Sequence, residues 1–334
     1  MNMDEIITLD YGSGGRKTAE LIEDVVLPLL GNPALENLGD GAVLDGSGKL
    51  VFSTDSFVVS PWRFPGGDIG KLCVCGTVND VCMAGGLPRY LSLSFILEEG
   101  FLISSLKEIV SSIAAEAQKT GVIVATGDTK VVERGKGDGI YINTSGIGFL
   151  TASLPGRDGL RKGDAVLLSG SAGCHGAAVM MARAGLIKDG SLRSDCAPLT
   201  ALSQAALKAG EVRILRDPTR GGVATTLNEF VENSPLCIEL EEAAIPVDPS
   251  VAASCGLLGL DPLYCACEGR MLAVTAPEDA DSVLEALRRT PGGEQAARIG
   301  TVTASRPGNV VLRTRIGGTR LLRKLSGMQL PRIC

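Results

Sequence analysis

The sequence lacks the segments that target a chain to a membrane or across one. No apolar run approaches the roughly 20 residues that a bilayer-spanning helix needs. Residues 1–10 carry acidic side chains and no apolar signal core. We therefore expect a cytoplasmic protein.

Histidine and the cysteine spacings of zinc sites are also scarce. His175 is the only histidine, and none of the ten cysteines forms a CxxC pair. Zinc sites in proteins usually use such pairs or combine cysteine with histidine. The sequence therefore argues against a structural zinc site, and most of the thiols are expected to be small buried apolar groups.

Aromatic residues and positive charge are the remaining shortages. Aromatic residues make up 4% of the chain, and the formal net charge is -6. A chain without surplus positive charge cannot neutralise a polyphosphate backbone, which argues against general nucleic-acid binding. Small anionic ligands remain compatible with this charge, because backbone amides and a metal ion can hold them.

What the sequence does have is length, aliphatic residues and glycine. Its 334 residues are 45% apolar and include 43 glycines, enough for two domains with aliphatic cores and many tight turns. Helical and strand-like segments alternate in both halves, which is typical of mixed α/β domains. The pattern breaks around residues 154–159. We therefore predict an N-terminal domain over 1–155, a C-terminal domain over 156–315 and a flexible tail over 316–334.

A set of aspartates stands at the ends of apolar segments, beside small residues. An unpaired carboxylate is costly to bury near apolar side chains, and a divalent cation shared with substrate phosphates removes that cost. Helix caps and turns are the alternative interpretation. Asp80 is the least turn-like, because it follows Asn79 within a helical pattern. The aspartates of this set are Asp40, Asp55, Asp80, Asp128 and Asp217.

Two loops rich in small residues lead into predicted helices, at residues 11–17 and 217–222. Small residues let backbone amides approach a phosphate, and a helix N-terminus favours negative charge. Arg16, Lys17 and Arg220 add positive charge to the two loops. The first loop has neither the Walker nor the dinucleotide-binding spacing. A flexible lead into a helix and a plain capping turn are the respective alternatives.

The chain ends on the tetrapeptide Pro331-Arg332-Ile333-Cys334. About ten residues of extended tail reach roughly 33 Å, which would let the terminal thiol travel between an external donor and an internal site. The thiolate is the nucleophilic form of cysteine. An incidental terminal cysteine is the alternative interpretation.

Together these motifs resemble the HypE family of hydrogenase maturation proteins, and the resemblance covers essentially the whole chain. The interior motifs are shared with the wider superfamily of aminoimidazole ribonucleotide synthetase and selenophosphate synthetase, whereas the terminal Pro-Arg-Ile-Cys singles out HypE. The motifs in chain order are Gly-Ser-Gly-Gly-Arg, Gly-Asp-Gly-Ala, Ser-Thr-Asp-Ser, Asn-Asp-Val-Cys-Met-Ala-Gly-Gly, Gly-Asp-Thr-Lys-Val-Val, Asp-Pro-Thr-Arg-Gly-Gly, Glu-Gly-Arg and Pro-Arg-Ile-Cys.

The resemblance implies a two-domain α/β fold of the aminoimidazole ribonucleotide synthetase type. Its N-terminal sheet would pair with its twin in a homodimer and complete a barrel, with ATP and Mg²⁺ in a cleft between the domains and near the dimer interface. The implied activity is ATP-dependent dehydration of a carbamoyl group on the terminal cysteine. The carbamoyltransferase HypF would load that cysteine, and the cyanide would pass to a HypC–HypD scaffold complex for nickel–iron hydrogenase.

The same resemblance implies roles for single residues. Cys334 would carry the carbamoyl group, and Glu268 with Lys130 would supply the base as a coupled pair without separate roles. His175 is a further acid or base candidate, with a structural role as the alternative. The implied metal ligands are Asp40, Asp80 and Asp217. The implied nucleotide contacts are Ser13, Gly14, Gly15, Arg16, Lys17, Asp55, Asn79, Asp128 and Arg220.

Two rival functions belong to other classes. Another ATP-dependent synthetase of the superfamily would make selenophosphate or an imidazole ribonucleotide. Selenophosphate synthetases typically use a reactive residue near the N-terminus, where this chain has no cysteine. A non-catalytic carrier of the carbamoyl or cyanide group would need only Cys334 and not the motifs that face phosphates.

Overall fold

The structure of the protein is a computed structural model that describes residues 6–13, 15–35, 42–187, 192–325, 330 and 332–334. Its first half builds a four-stranded sheet in the order β1-β6-β4-β5. Strands β1, β6 and β4 pair antiparallel, and β4 pairs parallel with β5. The elements of this half are α1 (Arg16–Leu21), α2 (Leu27–Leu30), β1 (Leu50–Phe57), β2 (Arg63–Phe64), β3 (Gly67–Asp68), α3 (Ile69–Met83), β4 (Gly86–Glu98), α4 (Ile103–Thr120), β5 (Ile123–Val132) and β6 (Ile140–Leu150).

Helix α4 makes the parallel crossover between β4 and β5 because its sequence is amphipathic. Its apolar residues recur at helical spacing, and all four of Leu106, Ile109, Val110 and Ile113 are buried. Gly121 ends the helix in the left-handed conformation, with φ at 72°. The helix therefore covers one face of the first sheet together with α3.

Helix α3 is buried on nearly every side, so it is a core helix rather than a surface one. Asp68 caps it, accepting hydrogen bonds from the amides of Gly70 (2.7 Å) and Lys71 (3.0 Å). Ser112 of α4 donates to the same carboxylate. Since α3 contacts both the first sheet and β8 (Val212–Arg216) of the second half, its last turn, which carries Asp80, lies where the two halves meet.

The second half builds a seven-stranded sheet in the order β13-β12-β9-β11-β7-β10-β8. All of its strand pairs are antiparallel except β12 with β9. Its elements are β7 (Ala165–Leu168), α5 (Cys174–Arg183), α6 (Thr200–Ala209), β8 (Val212–Arg216), α7 (Gly222–Val231), β9 (Cys237–Glu241), α8 (Pro249–Leu258), β10 (Leu272–Thr275), α9 (Ala280–Arg289), β11 (Ala297–Thr303), β12 (Val310–Arg313) and β13 (Thr319–Leu322).

The second sheet extends into the segment that was predicted to be tail. Residues 319–322 pair with β12 as the edge strand β13, and Leu322 is buried. The basic, aperiodic sequence did not indicate this strand, because only one side chain of this edge strand is buried and no alternating pattern results. No helix among the described residues has the length and apolar content to cross a bilayer.

Candidate active site

A cleft of about 410 Å³ lies where β1 and the end of α3 face the loop after β8. Most of its polar lining comes from residues that the sequence singled out, and they come from widely separated segments of the chain. The lining includes Asp55, Asp80, Asp217, Arg220, Glu268 and Cys334. We call these three aspartates the acidic cluster.

The acidic cluster is held in place by short hydrogen bonds. Ser53 Oγ donates to Asp80 Oδ2 at 2.8 Å, and the amide of Ser56 donates to Asp55 Oδ1 at 2.8 Å. Asp217 is only 6% exposed. Burial, and then the charge of Asp80, raise the pKa of Asp217 to about 7. The cluster therefore has a deficit of positive charge.

The deficit of positive charge in the acidic cluster is what a bound Mg²⁺ ion would relieve. Burial also raises the pKa of Asp55 and of Asp80, and oxygen donors are the ligands that Mg²⁺ prefers. Among the described residues, however, no three acidic, histidine or cysteine side chains converge to enclose a metal ion alone. The three carboxylates therefore offer oxygen donors of the kind that Mg²⁺ prefers, but they do not form a metal site by themselves. Asp40, the third predicted ligand, lies outside the described residues.

Arg220 supplies the positive charge of the cleft from the loop before α7. Its side chain is exposed in the cleft, and its charge lowers the pKa of Asp55 and of Asp80. The loop turns through two left-handed glycines, Gly221 (φ 76°) and Gly222 (φ 59°). A Cβ on Gly222 would lie 2.6 Å from the backbone oxygens of Cys265 and Leu263. The Gly-Gly pair therefore lets the loop close onto the neighbouring segment.

Glu268 lies at the buried end of the cleft and is 2% exposed. Its backbone is fixed on both sides: Asp195 Oδ1 accepts from its amide at 3.3 Å, and Asn79 Nδ2 donates to its carbonyl at 3.3 Å. A Cβ on Gly269 would lie 1.9 Å from the backbone oxygen of Asp195. This close approach therefore requires the glycine of the Glu-Gly-Arg motif.

The carboxyl group of Glu268 is electrostatically isolated. Its Oε1 is buried without a hydrogen-bond partner among the described atoms. Burial raises its pKa well above the ordinary value, and the charges of Asp217, Asp195 and Asp55 raise it further. The surroundings of Glu268 therefore favour the protonated form of its carboxyl group.

The chain terminus lies in the same cleft. The carbonyl oxygen of Cys334 accepts from the amide of Val58 at 3.0 Å, and Ile333 is buried. Burial, and then the negative charge of Glu268, raise the pKa of the Cys334 thiol to about 12. Cys334 is half-buried, whereas the other nine cysteines are fully buried and free. The prediction of a flexible tail thus did not include the position in which the structure places residues 332–334.

His175 is buried on α5 and contacts the tail rather than the cleft. Its Nε2 lies 2.7 Å from the carbonyl oxygen of Ile333, and its Nδ1 lies 2.8 Å from Ser194 Oγ. It does not line the cleft that holds Glu268 and Cys334. This arrangement favours the structural alternative over an acid or base role.

Asn79 also lies beneath the cleft and not in its lining. It is fully buried, and its side-chain amide bonds the backbone of Ala197, Leu199 and Glu268. These partners belong to the second domain. Asn79 therefore joins α3 to the Glu268 loop from below the cleft.

Lys130 and Asp128 lie elsewhere, on edge strand β5. Lys130 Nζ is 2.6 Å from Asp128 Oδ1, and the two side chains are 63% and 55% exposed. Both line a second cavity of about 200 Å³ with an apolar wall that includes Ile22 and Phe95. Within the described part of the chain no contact joins Lys130 to Glu268, so the expected pair is not formed inside one chain.

The predicted phosphate loop before α1 borders the second cavity rather than the acidic cleft. Gly12 lines that cavity, and Ser13 Oγ donates to the carbonyl of Asp10 at 2.8 Å. Arg16 and Lys17 both pair with Glu20, one turn along α1. Gly15 precedes the helix as its cap residue, and Gly14 lies outside the described residues.

Two contributors to the site were missed in the sequence. Asp195 is buried, accepts from the Glu268 amide and lies 3.8 Å from Arg270 Nε. Arg216, at the end of β8, lowers the pKa of Asp80 and of Asp217. Arg216 directly precedes the Asp-Pro-Thr-Arg motif and could have been found from it. Asp195 stands in no motif, so no local signal marked it.

Comparison with known proteins gives consistent matches over the whole chain. Models of AIR synthase related proteins match residues 38–150 with the N-terminal domain and 161–313 with the C-terminal domain. The carbamoyl dehydratase HypE of Cupriavidus necator is 50% identical over 332 residues, which cover 98% of this chain and 95% of the relative. The carbamoyl dehydratase HypE of Escherichia coli K12 is 44% identical, covering 98% and 99% of the two chains.

Solved structures match as well. The crystal structure of a hydrogenase maturation protein HypE in complex with ATP has a TM-score of 0.94 at 49% identity, covering 98% of this chain and 99% of that one. A crystal structure of a HypE–HypF complex has a TM-score of 0.78 at 43% identity, covering 91% and 99%.

Proposed function

Because the chain belongs to the HypE family of carbamoyl dehydratases, we propose that it dehydrates a carbamoyl group on its own Cys334 to a thiocyanate, with ATP as second substrate. The thiocyanate provides cyanide for hydrogenase maturation. The observation that carries the proposal is the docking of Cys334 in the cleft that also contains Glu268 and the acidic cluster. The cleft therefore brings together the thiol that would carry the carbamoyl group, a candidate base and a cluster of carboxylates that lacks compensating positive charge.

The reaction must turn an amide oxygen into a leaving group. The carbamoyl oxygen attacks the γ-phosphorus of ATP, the bond to the bridging oxygen breaks, and ADP leaves. The two N–H protons are then lost, the C–O bond breaks, and the released electron pairs complete the C≡N triple bond. Inorganic phosphate carries away the former carbamoyl oxygen, so the net change on sulfur is the loss of one water.

The residues of the cleft suit the demands of these steps. Phosphoryl transfer depends on positioning and on neutralising charge. Asp80 and Asp217 would hold Mg²⁺ against the phosphates, where the ion supplies positive charge. Arg220 offers a guanidinium group to the same phosphates.

Glu268 is the proposed base. In the empty cleft its surroundings favour the protonated carboxyl group, which cannot accept the N–H proton. Positive charge brought beside it with the nucleotide lowers its pKa and frees the carboxylate. Loading of the cleft therefore favours the form of Glu268 that can act as a base. His175 keeps no direct chemical role in this scheme.

We propose that Lys130 acts in a homodimer, because it makes no contact with Glu268 within the described part of its own chain. The sheet face opposite α3 and α4 is left uncovered by the described residues, and it exposes Leu50 (57%), Phe52 (66%) and Ile96 (42%). A second copy packed on this face would bury these side chains and complete a barrel. The edge strand β5 with Asp128 and Lys130 borders this face, which would bring both residues toward the second copy.

We propose that the adenine of ATP binds in the second cavity and that its phosphates reach an acidic cluster of the proposed homodimer. The apolar wall of the cavity suits an adenine ring, and residues 12–17 approach it from the start of α1. Ser13, Gly15, Arg16 and Lys17 are the described candidates for phosphate contacts there. Asp55, in the acidic cluster, and Asp128, in the second cavity, remain proposed nucleotide contacts.

The proposed partners follow the chemistry of the tail. A HypF carbamoyltransferase would load Cys334, since a relative of this chain forms a HypE–HypF complex. A HypC–HypD complex would receive the cyanide. We place these steps in the cytoplasm, where ATP is present and thiols stay reduced.

The proposal is tested by ATP hydrolysis after carbamoylation with a HypF transferase and carbamoyl phosphate. The wild type is expected to release one phosphate per loaded chain, whereas Cys334→Ala releases none. Cys237→Ala, a buried cysteine of β9 remote from the cleft, serves as the matched control and should behave as wild type. Phosphate release that survives Cys334→Ala would favour another synthetase of the superfamily, and absence of nucleotide binding would favour a carrier.

A further inference from the structure

His175 sits in a one-directional chain of hydrogen bonds that ends on the tail. A backbone carbonyl can only accept, so the Nε2 that lies 2.7 Å from Ile333 O must carry the ring proton. Burial lowers the pKa of His175, so the ring is neutral and its Nδ1 is an acceptor. Ser194 Oγ accepts from the amide of Cys196 at 3.0 Å and donates its proton to Nδ1.

The neighbouring carbonyls of the tail are held in the same manner. Arg183, at the end of α5, donates to the carbonyls of Ser60 and Arg332. The amide of Val58 donates to the carbonyl oxygen of Cys334 at 3.0 Å. The backbone oxygens of three consecutive residues, 332, 333 and 334, therefore each meet a fixed donor from a different residue, and the oxygen of Cys334 belongs to the terminal carboxylate.

The histidine itself cannot easily move away from this position. It is fully buried, and the edge of its ring meets Phe64 with centroids 5.2 Å apart and planes at 90°. The side chain of Ile333 is also buried. The donors thus form a rigid receptor for the backbone of the tail, and the receptor ends at the acidic cleft.

We infer that His175 is a positioning residue that, with Arg183, docks the backbone of residues 332–334 and so fixes the Cys334 thiol in the cleft. The inference rests on the proposed function and adds a division of roles to it. Docked, Cys334 faces the dehydration site and is partly shielded from outside reagents. Undocked, it is accessible to a transferase. Weakening the receptor therefore speeds external reactions of the thiol and slows dehydration.

The docking claim is tested by the alkylation rate of Cys334 with iodoacetamide, followed by the mass of the C-terminal peptide. The nine buried cysteines leave this thiol as the accessible one. Loss of the buried hydrogen bond in His175→Leu should raise the rate about tenfold. His175→Gln, whose amide can donate to the same carbonyl, should stay near the wild-type rate.

Thr275→Val is the matched control, because it deletes the buried hydrogen bonds of a hydroxyl on β10, to Glu211 O at 2.9 Å and to Ala276 O at 3.5 Å. An equal rise in this control, or no rise in His175→Leu, overturns the inference. If His175→Leu does not fold, Arg183→Met takes its place, since it removes the donor to Arg332 O. It should also raise the rate, and an unchanged rate would count against docking.

A second readout separates this inference from the proposed function. Pre-carbamoylated His175→Leu should dehydrate more slowly than wild type at saturating ATP, with unchanged ATP affinity. Failure of the wild type to dehydrate would reject the proposed function while the alkylation result still decides docking. Equal dehydration rates together with equal alkylation rates would reject docking alone.

Discussion

Removing the charge of Asp217 should stabilise the nucleotide-free protein at alkaline pH. Burial and the nearby Asp80 raise the pKa of Asp217 from its ordinary 3.8 to about 7. Between these values the folded chain binds more protons than the unfolded chain, so unfolding free energy falls as the pH rises and the loss is complete above pH 7. A rise from 3.8 to about 7 corresponds to about 4 kcal/mol.

Asp217→Asn removes this titration and keeps the shape of the protonated acid. The gain in unfolding free energy over wild type should grow by about 2–3 kcal/mol from pH 5 to pH 8. Urea unfolding of the metal-free protein, followed by circular dichroism at several pH values, measures the difference. Asp45→Asn, at an exposed loop position before β1, is the control and should show no such trend.

Two results would refute this reasoning. The first is a variant less stable than wild type at pH 8, and the second is a difference that does not change with pH. The same experiment with Mg²⁺ and ATP should reverse the order, because a ligand that binds only the folded state stabilises the chain with the intact site. The Asp217 carboxylate would then destabilise the ligand-free protein and stabilise the protein that has bound Mg²⁺ and ATP.

Two further substitutions test the division of roles in the cleft. Glu268→Gln should leave ATP affinity within about twofold but slow dehydration by about 10²-fold or more, because a base is lost. Isothermal titration measures the ATP affinity, and a single-turnover assay measures the dehydration rate. Lost ATP affinity with unchanged dehydration would contradict the assignment. Asp80→Asn should weaken ATP binding about tenfold in the presence of Mg²⁺ and much less without it. Equal ATP affinity of the wild type with and without Mg²⁺ would undo that argument.

Local sequence patterns indicated the helix that carries Asp80 and the helix after the loop at residues 217–222, because their apolar residues recur with the right period. The motifs around Asp55, Asp80 and Asp217 also marked the acidic cluster, since small residues beside a buried acid are a local feature. Glu268 and its glycine could be identified only through the family resemblance. Both residues lie close to Asp195, and that contact exists only in the folded chain.

The remaining differences come from long-range geometry that no local pattern encodes. Lys130 carries a motif as clear as that of Glu268, yet β5 lies at a sheet edge and its lysine turns to Asp128. The family resemblance implied a nucleotide contact at Asn79, but successive helical residues point in different directions, and its side chain lies beneath the cleft that Asp80 lines. The role of His175 depends on where the last three residues bind in the folded protein, and the sequence of the tail does not predict that position.

The central claim is that the Cys334 thiol carries the group that loses water. The most direct measurement is the mass of the C-terminal peptide after the protein is loaded by a HypF transferase with carbamoyl phosphate and then given ATP and Mg²⁺. A carbamoyl adduct should form on Cys334 and should lose the mass of one water only when ATP is present. An adduct on another residue, or one that persists unchanged with ATP while phosphate is released, would contradict it.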